Sequence, residues 1–232
     1  MRVRQRISIA GAILAIVLML SALTAASASA AAKKLDLTWD FEVNQLKTGE
    51  EFKMANDSDI AFETTAGGVK CEAAFYPEEQ GFLGKDETNN EKTDKLELDY
   101  AYGGIYLGRV CASTLGLGTE ALVAVYNPSG SLGTLSLGAN GKASFKTPST
   151  SEPAYVLEYF LNTDDECYYT FTKLSGTLSI GYLTEITFSN QKLKLDKTIS
   201  NKLCPKTAKL TAPFEYQTTG ELGWYIFNHL TS

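Results

Sequence analysis

Lys192-Leu193-Lys194-Leu195-Asp196 is the stretch whose reading decides the fold. Apolar and polar residues alternate, the period of a strand with one buried face. The same pattern stands 97 positions earlier as Lys95-Leu96-Glu97-Leu98-Asp99. Other landmarks keep nearly that offset. Cys71 and Cys167 are 96 apart, and Cys111 and Cys204 are 93 apart. Gly130-Ser131-Leu132-Gly133 returns 90 positions on as Gly220-Glu221-Leu222-Gly223, and Gly81-Phe82-Leu83 has a partner in Gly176-Thr177-Leu178. A fixed period is the mark of a repeated unit. The expectation is an all-β chain of two tandem repeats, residues 31–138 and 139–232, each sandwich- or barrel-like and each with one disulfide. The competing reading is one domain whose strands share alternation without duplication.

Alternation continues outward from that stretch. Strands are expected at 35–43, 60–64, 69–76, 96–102, 121–126 and 132–137 in the first half. In the second they are expected at 142–146, 155–161, 167–172, 176–180, 185–195, 208–216 and 223–227. Gly67-Gly68 reads as a hairpin signal. Residues 84–94, with Asp86-Glu87-Thr88-Asn89-Asn90-Glu91, read as a polar loop, as does Thr147-Pro148-Ser149-Thr150-Ser151-Glu152-Pro153. Gly116-Leu117-Gly118 reads as a turn, since no helix pattern follows to make it a phosphate cradle.

The N-terminus carries a different signal. Met1-Arg2-Val3-Arg4-Gln5-Arg6 is cationic, residues 7–23 are largely apolar, and Ala26-Ser27-Ala28-Ser29-Ala30 offers small-x-small cleavage sites. This order reads as a signal peptide over residues 1–30, cut to leave Ser29 or Ala31 first. An uncleaved anchor is the competing reading, but the apolar run is short of the ~20 residues a spanning helix wants. The expected protein is secreted, with no membrane association after cleavage. Losing Arg2, Arg4 and Arg6 leaves 18 basic against 27 acidic residues, a formal charge of −9. Arg109 is then the only arginine and His229 the only histidine. That balance argues against nucleic acid, whose phosphates need clustered Lys and Arg.

Four cysteines behind a signal peptide imply two disulfides. Zinc would want short Cys-x-x-Cys pairs, which are absent. Spacing alone leaves three connectivities open. If each repeat closes its own bridge, they are Cys71–Cys111 and Cys167–Cys204, each worth about 4 kcal/mol by loop entropy. The signal-like start, the four cysteines, the run from Lys192 and the following Ser200-Asn201-Lys202-Leu203-Cys204-Pro205 together resemble a group of exported four-cysteine β proteins of soil actinobacteria. No activity is attached to that group. The resemblance implies compartment and fold and carries no chemistry.

Catalytic patterns are thin. His229 lies four residues from the C-terminal residue counted inclusively, and reads as a surface histidine in a final strand or tail rather than a triad base. There is no Gly-x-Ser-x-Gly elbow. Paired carboxylates could serve a glycosidase; Glu72, Glu78, Glu79, Asp99, Asp164, Asp165 and Glu166 are the candidates, and most read as solvated turns. Asp57-Ser58-Asp59 and Asp164-Asp165-Glu166 place oxygens together without a calcium-loop pattern. No catalytic residue, metal or cofactor is assigned. The suggestive feature is aromatic. Tyr100 and Tyr102 share a strand face with Tyr106 beyond, Trp39 and Trp224 are expected in outer strands of the two repeats, and exposed aromatic rows bind sugars or peptides when they are not core. The expected function is non-catalytic binding of cell-wall or other extracellular polysaccharide or protein. The alternatives are a carboxylate-dependent extracellular hydrolase and a ligand-free matrix component.

Overall fold

In the computed structural model the described residues are 33–40, 44–45, 47–49, 51–55, 58–72, 82–88, 93–99, 105–128, 131–181, 183–218 and 226–231. Residues 1–30, expected from the sequence to be a signal peptide, lie outside them. The described residues form strands and turns only. In chain order the strands are β1 (Lys34–Asp40), β2 (Asn44–Gln45), β3 (Glu51–Ala55), β4 (Ile60–Thr64), β5 (Gly67–Cys71), β6 (Phe82–Thr88), β7 (Thr93–Asp99), β8 (Ile105–Ser113), β9 (Glu120–Tyr126) and β10 (Gly133–Gly138). They continue with β11 (Lys142–Lys146), β12 (Ala154–Phe160), β13 (Asp165–Phe171), β14 (Lys173–Leu178), β15 (Glu185–Leu195), β16 (Thr207–Thr218) and β17 (Phe227–Thr231).

Fourteen strands close into a circuit, and the long β15–β16 pair divides it. One ring runs β3-β6-β7-β10-β11-β14-β15-β16, and the other β4-β5-β8-β9-β12-β13-β15-β16. Both rings draw four strands from residues 31–138 and four from 139–232. Residues 33–232 are one compact unit.

The sharing of β15 and β16 has a local cause. The pairing slips between Phe188 and Gln191, where Asn190 takes a φ of 51°, and such a bulge bends the ribbon. Before the bulge β15 pairs with β14; after it, with β13. On the other edge of β16, β4 pairs as far as Thr211 and β3 begins at Glu215. Pro213, with no N–H to offer, falls in the gap where that partner changes.

Alternation sets the core. In β12, Ala154, Val156, Glu158 and Phe160 point inward while Tyr155, Leu157 and Tyr159 are half-buried on the outer face. In β13, Cys167, Tyr169 and Phe171 point inward and Glu166, Tyr168 and Thr170 outward. One apolar cluster spans both rings, from Phe62 and Val69 to Phe145, Phe188 and Phe214. It encloses a void of about 30 Å³ bordered by Met54, Val125, Leu135, Phe145 and Val156.

A separate sheet, β17-β1-β2, uses both ends of the described chain. Leu35 and Leu37 of β1 are fully buried. Asn228 of β17 donates to Ser179 O at 2.8 Å and accepts from Gly181 N at 3.1 Å, fastening the loop between β14 and β15.

The disulfides are Cys71–Cys111 and Cys167–Cys204. The first joins the adjacent strands β5 and β8. The second ties β13 to the loop before β16. Both therefore lie in the ring containing β4, β5, β8 and β9. Two disulfides suit an oxidising, extracellular environment. Among the described residues no helix is long and apolar enough to cross a membrane.

Several strand expectations shift. Residues 84–94 include most of β6 and the start of β7 rather than a loop. β6 is fixed by ladders to β3 and β7, and backbone pairing needs no apolar side chain. β3 and β8 were not expected. Among the described residues the final strand is Phe227–Thr231; of the expected strand 223–227, residues 223–225 lie outside the described residues. Gly67 and Gly68 lie inside β5, after the turn at Thr65-Ala66. A Cβ on Gly67 would stand 2.6 Å from Thr114 O, and one on Gly68 2.5 Å from Phe62 O. Their smallness serves close backbone approach. The runs from Lys95 and Lys192 also part company: the first pairs with β6 and β10, the second with β16 and β13.

Candidate functional site: a tyrosine face on β9, β12 and β13

Three strands of the disulfide-bearing ring bring together residues far apart in sequence. Tyr155 stands opposite Tyr126 across β12–β9, and Leu157 opposite Tyr168 across β12–β13. All four are on the outer face because they share the outward parity of their strands. Tyr126 and Tyr155 stack, with centroids 5.4 Å apart and planes at 16°. Tyr168 meets each of them edge-on at 6.4 Å. Leu122 and Tyr159 extend the half-buried face.

Carboxylates anchor the phenols. Tyr168 Oη donates to Glu166 Oε2 at 2.7 Å, and Tyr155 Oη to Asp196 Oδ2 at 3.5 Å. Tyr159 donates to Asp164. Asp196 is itself held by Thr198, whose N and Oγ1 donate to Oδ1 at 2.9 and 2.6 Å. Those bonds hold its carboxyl below the usual range. Burial is the main cause raising the phenols of Tyr126, Tyr155 and Tyr168, and the bond to Asp164 the main cause for Tyr159. The four phenols are thus neutral donors at physiological pH.

The loop 196–206 is pinned beside the face. Ser200 Oγ accepts from Tyr168 N at 2.9 Å, Asn201 N donates to Glu166 O at 2.9 Å, and Asn201 bonds Asp165. The Cys167–Cys204 bridge fixes its far end. Chemically the site offers aromatic carbon beside ordered carboxylate acceptors. That combination stacks on a sugar ring and accepts from its hydroxyls.

Apart from Asp164, Asp165 and Glu166, the residues singled out in the sequence fall elsewhere or outside the described residues. Tyr100, Tyr102 and Trp224 lie outside the described residues. Tyr106 is on β8 and Trp39 on β1, with side chains outside the described set. Glu78 and Glu79 lie outside as well, Glu72 is exposed after β5, and Asp99 ends β7. Asp164, Asp165 and Glu166 form the β12–β13 turn and the start of β13, each engaged by a neutral donor. Asp59 pairs with Lys70. His229 lies on β17 opposite Asp36. Among the described residues no group of three or more His, Cys, Asp or Glu converges as a metal site. Leu117, between its two turn glycines, is buried.

The sequence reading missed two things. The tyrosine face depends on register between three strands, so spacing alone does not reveal it. Glu158 was also missed, although it occupies the inward parity of β12 beside Val156 and Phe160. It is fully buried, and neither carboxyl oxygen has a partner. Burial pushes its carboxyl up to about 8. The phenol of buried Tyr169 also lacks a partner. Compared with known proteins, the chain matches no protein-family model, no curated protein and no solved structure.

Proposed function

We propose that this is an exported, non-catalytic protein that binds extracellular polysaccharide through the face of Tyr126, Tyr155 and Tyr168. The observation that carries the reading is the stacked pair of Tyr126 and Tyr155 with Tyr168 edge-on, its phenols held by Glu166 and Asp196. The rigid backing favours binding, because little ordering remains to be done when ligand arrives. Export is supported by the cationic, apolar and small-residue order of residues 1–30 and by the disulfides. A duplicated origin belongs to the same proposal, supported by the four-plus-four strand order of each ring. The resemblance to exported four-cysteine β proteins agrees with the compartment. The carboxylate-hydrolase alternative has less support at Asp164, Asp165 and Glu166, each of which has one oxygen engaged in anchoring Tyr159, Asn201 or Tyr168.

Depletion assays with cellulose, chitin and cell-wall particles test the reading. The protein should be retained by at least one. With ~0.5–1.5 kcal/mol for a stacked contact, Tyr126→Ala or Tyr155→Ala should weaken retention about two- to twelvefold. Failure to bind any polysaccharide, or retention indifferent to both substitutions, refutes it.

A further inference from the structure

We propose that the outer face of β10, β11, β14 and β15 is a second binding groove, one that takes an anionic glycan. The groove holds about 650 Å³, within the size range of ligand sites. Its floor is hydroxylic. Strand register sets Ser136 opposite Ser144 and Ser144 opposite Ser175, and Ser189 also lines it. Hydroxyls both donate and accept, as sugar hydroxyls do.

The charge on its walls points to the ligand. Lys173 lines the groove and stands directly opposite Lys146 across β11–β14; Lys146 is not part of the lining, and both lysines are exposed. Like charges directly opposite each other in a sheet are destabilising. Among the described side chains no acid is shown within ion-pair distance of either lysine; the pair shown is Lys70–Asp59. Lys142 lines the other end of the groove, four residues or about 13 Å along β11. This cationic cluster sits on a chain of formal charge −6, so general basicity does not explain it. A polymer with oxyanions spaced among hydroxyls would meet the lysines at both ends and the serines between.

Carboxylate and phosphate supply the same oxyanion chemistry, so the test carries both. Polygalacturonate and poly(glycerol phosphate) are titrated into the oxidised protein at two salt concentrations, with neutral dextran as control. At least one polyanion should bind, lose affinity as salt rises, and thereby identify the oxyanion. Lys146→Gln/Lys173→Gln should bind at least tenfold more weakly and melt no lower than the parent. Lys142→Gln tests the other end independently should the double variant fold poorly, and Lys202→Gln should change nothing. Tyr126→Ala/Tyr155→Ala should leave polyanion binding intact, so loss of the tyrosine-face reading and loss of this one are told apart. No binding to either polyanion, or binding unchanged in the lysine variants, overturns the proposal.

Discussion

Replacing Glu158 with glutamine should remove a pH dependence from the stability of the whole fold. The carboxyl is fully buried between Val123 of β9 and Cys167 of β13, with no partner for either oxygen. Its pKa rises from an ordinary 4.5 to about 8. Between those values the unfolded chain has released a proton that the folded chain keeps. Unfolding stability therefore falls as pH rises, by about 1.4 kcal/mol per unit. The stability is fully present below pH 4.5, lost progressively up to pH 8, and level beyond. From pH 5 to pH 8 the loss amounts to about 4 kcal/mol, an upper figure set by the dryness of the site and large against a domain's ~5–15 kcal/mol. Glutamine keeps the shape without the proton. Its buried N–H₂ carries a cost that is the same at every pH, so the difference between the two proteins isolates the carboxyl. Urea unfolding of oxidised wild type and Glu158→Gln at pH 5, 6.5 and 8 should show the variant gaining on wild type by several kcal/mol across the series. Parallel stability curves would refute the reasoning, because they would mean that Glu158 is ionised in the fold or reaches water.

Four further outcomes follow from the same structure. Reducing both disulfides should lower stability by several kcal/mol, at about 4 kcal/mol for each closed loop, and Cys167→Ala/Cys204→Ala alone should also weaken polysaccharide retention by freeing the loop that holds Asp196. Gly133→Ala should destabilise by more than about 2 kcal/mol in chemical unfolding, since Gly133 has a φ of 135° and a Cβ there would lie 2.1 Å from Lys146 O. Ultraviolet titration should find tyrosines still protonated above the ordinary phenol pKa of about 10, and Tyr168→Phe should remove one of that late-titrating group. Asn228→Ala should cost on the order of 1–3 kcal/mol in a melt, because Ser179 O and Gly181 N lose their partner.

The parts legible in the sequence were those carried by alternation and by cysteine spacing. Residues 142–146 and 185–195 are strands at the bounds their patterns implied, and the two disulfides pair as equivalent halves would require. Legibility fails where tertiary pairing outweighs composition. β6 reads as a polar loop because its place comes from ladders to β3 and β7. The two rings could not be foreseen, since they depend on the bulge at Asn190 and on the partner change at Pro213. Tyr126, Tyr155 and Tyr168 each lay on strands that the sequence marked, but only register makes them neighbours. Glu158 carried a readable signal, a carboxylate on the parity otherwise given to Ala154, Val156 and Phe160.

Ring-proton NMR of the tyrosines during titration with soluble oligosaccharide tests the central claim most directly. Signals assigned through Tyr126→Phe, Tyr155→Phe and Tyr168→Phe should move together and saturate with one affinity, while those of buried Tyr169 stay in place. Shifts confined to other tyrosines, or none with any cellulose-, chitin- or cell-wall-derived oligosaccharide, would contradict the account.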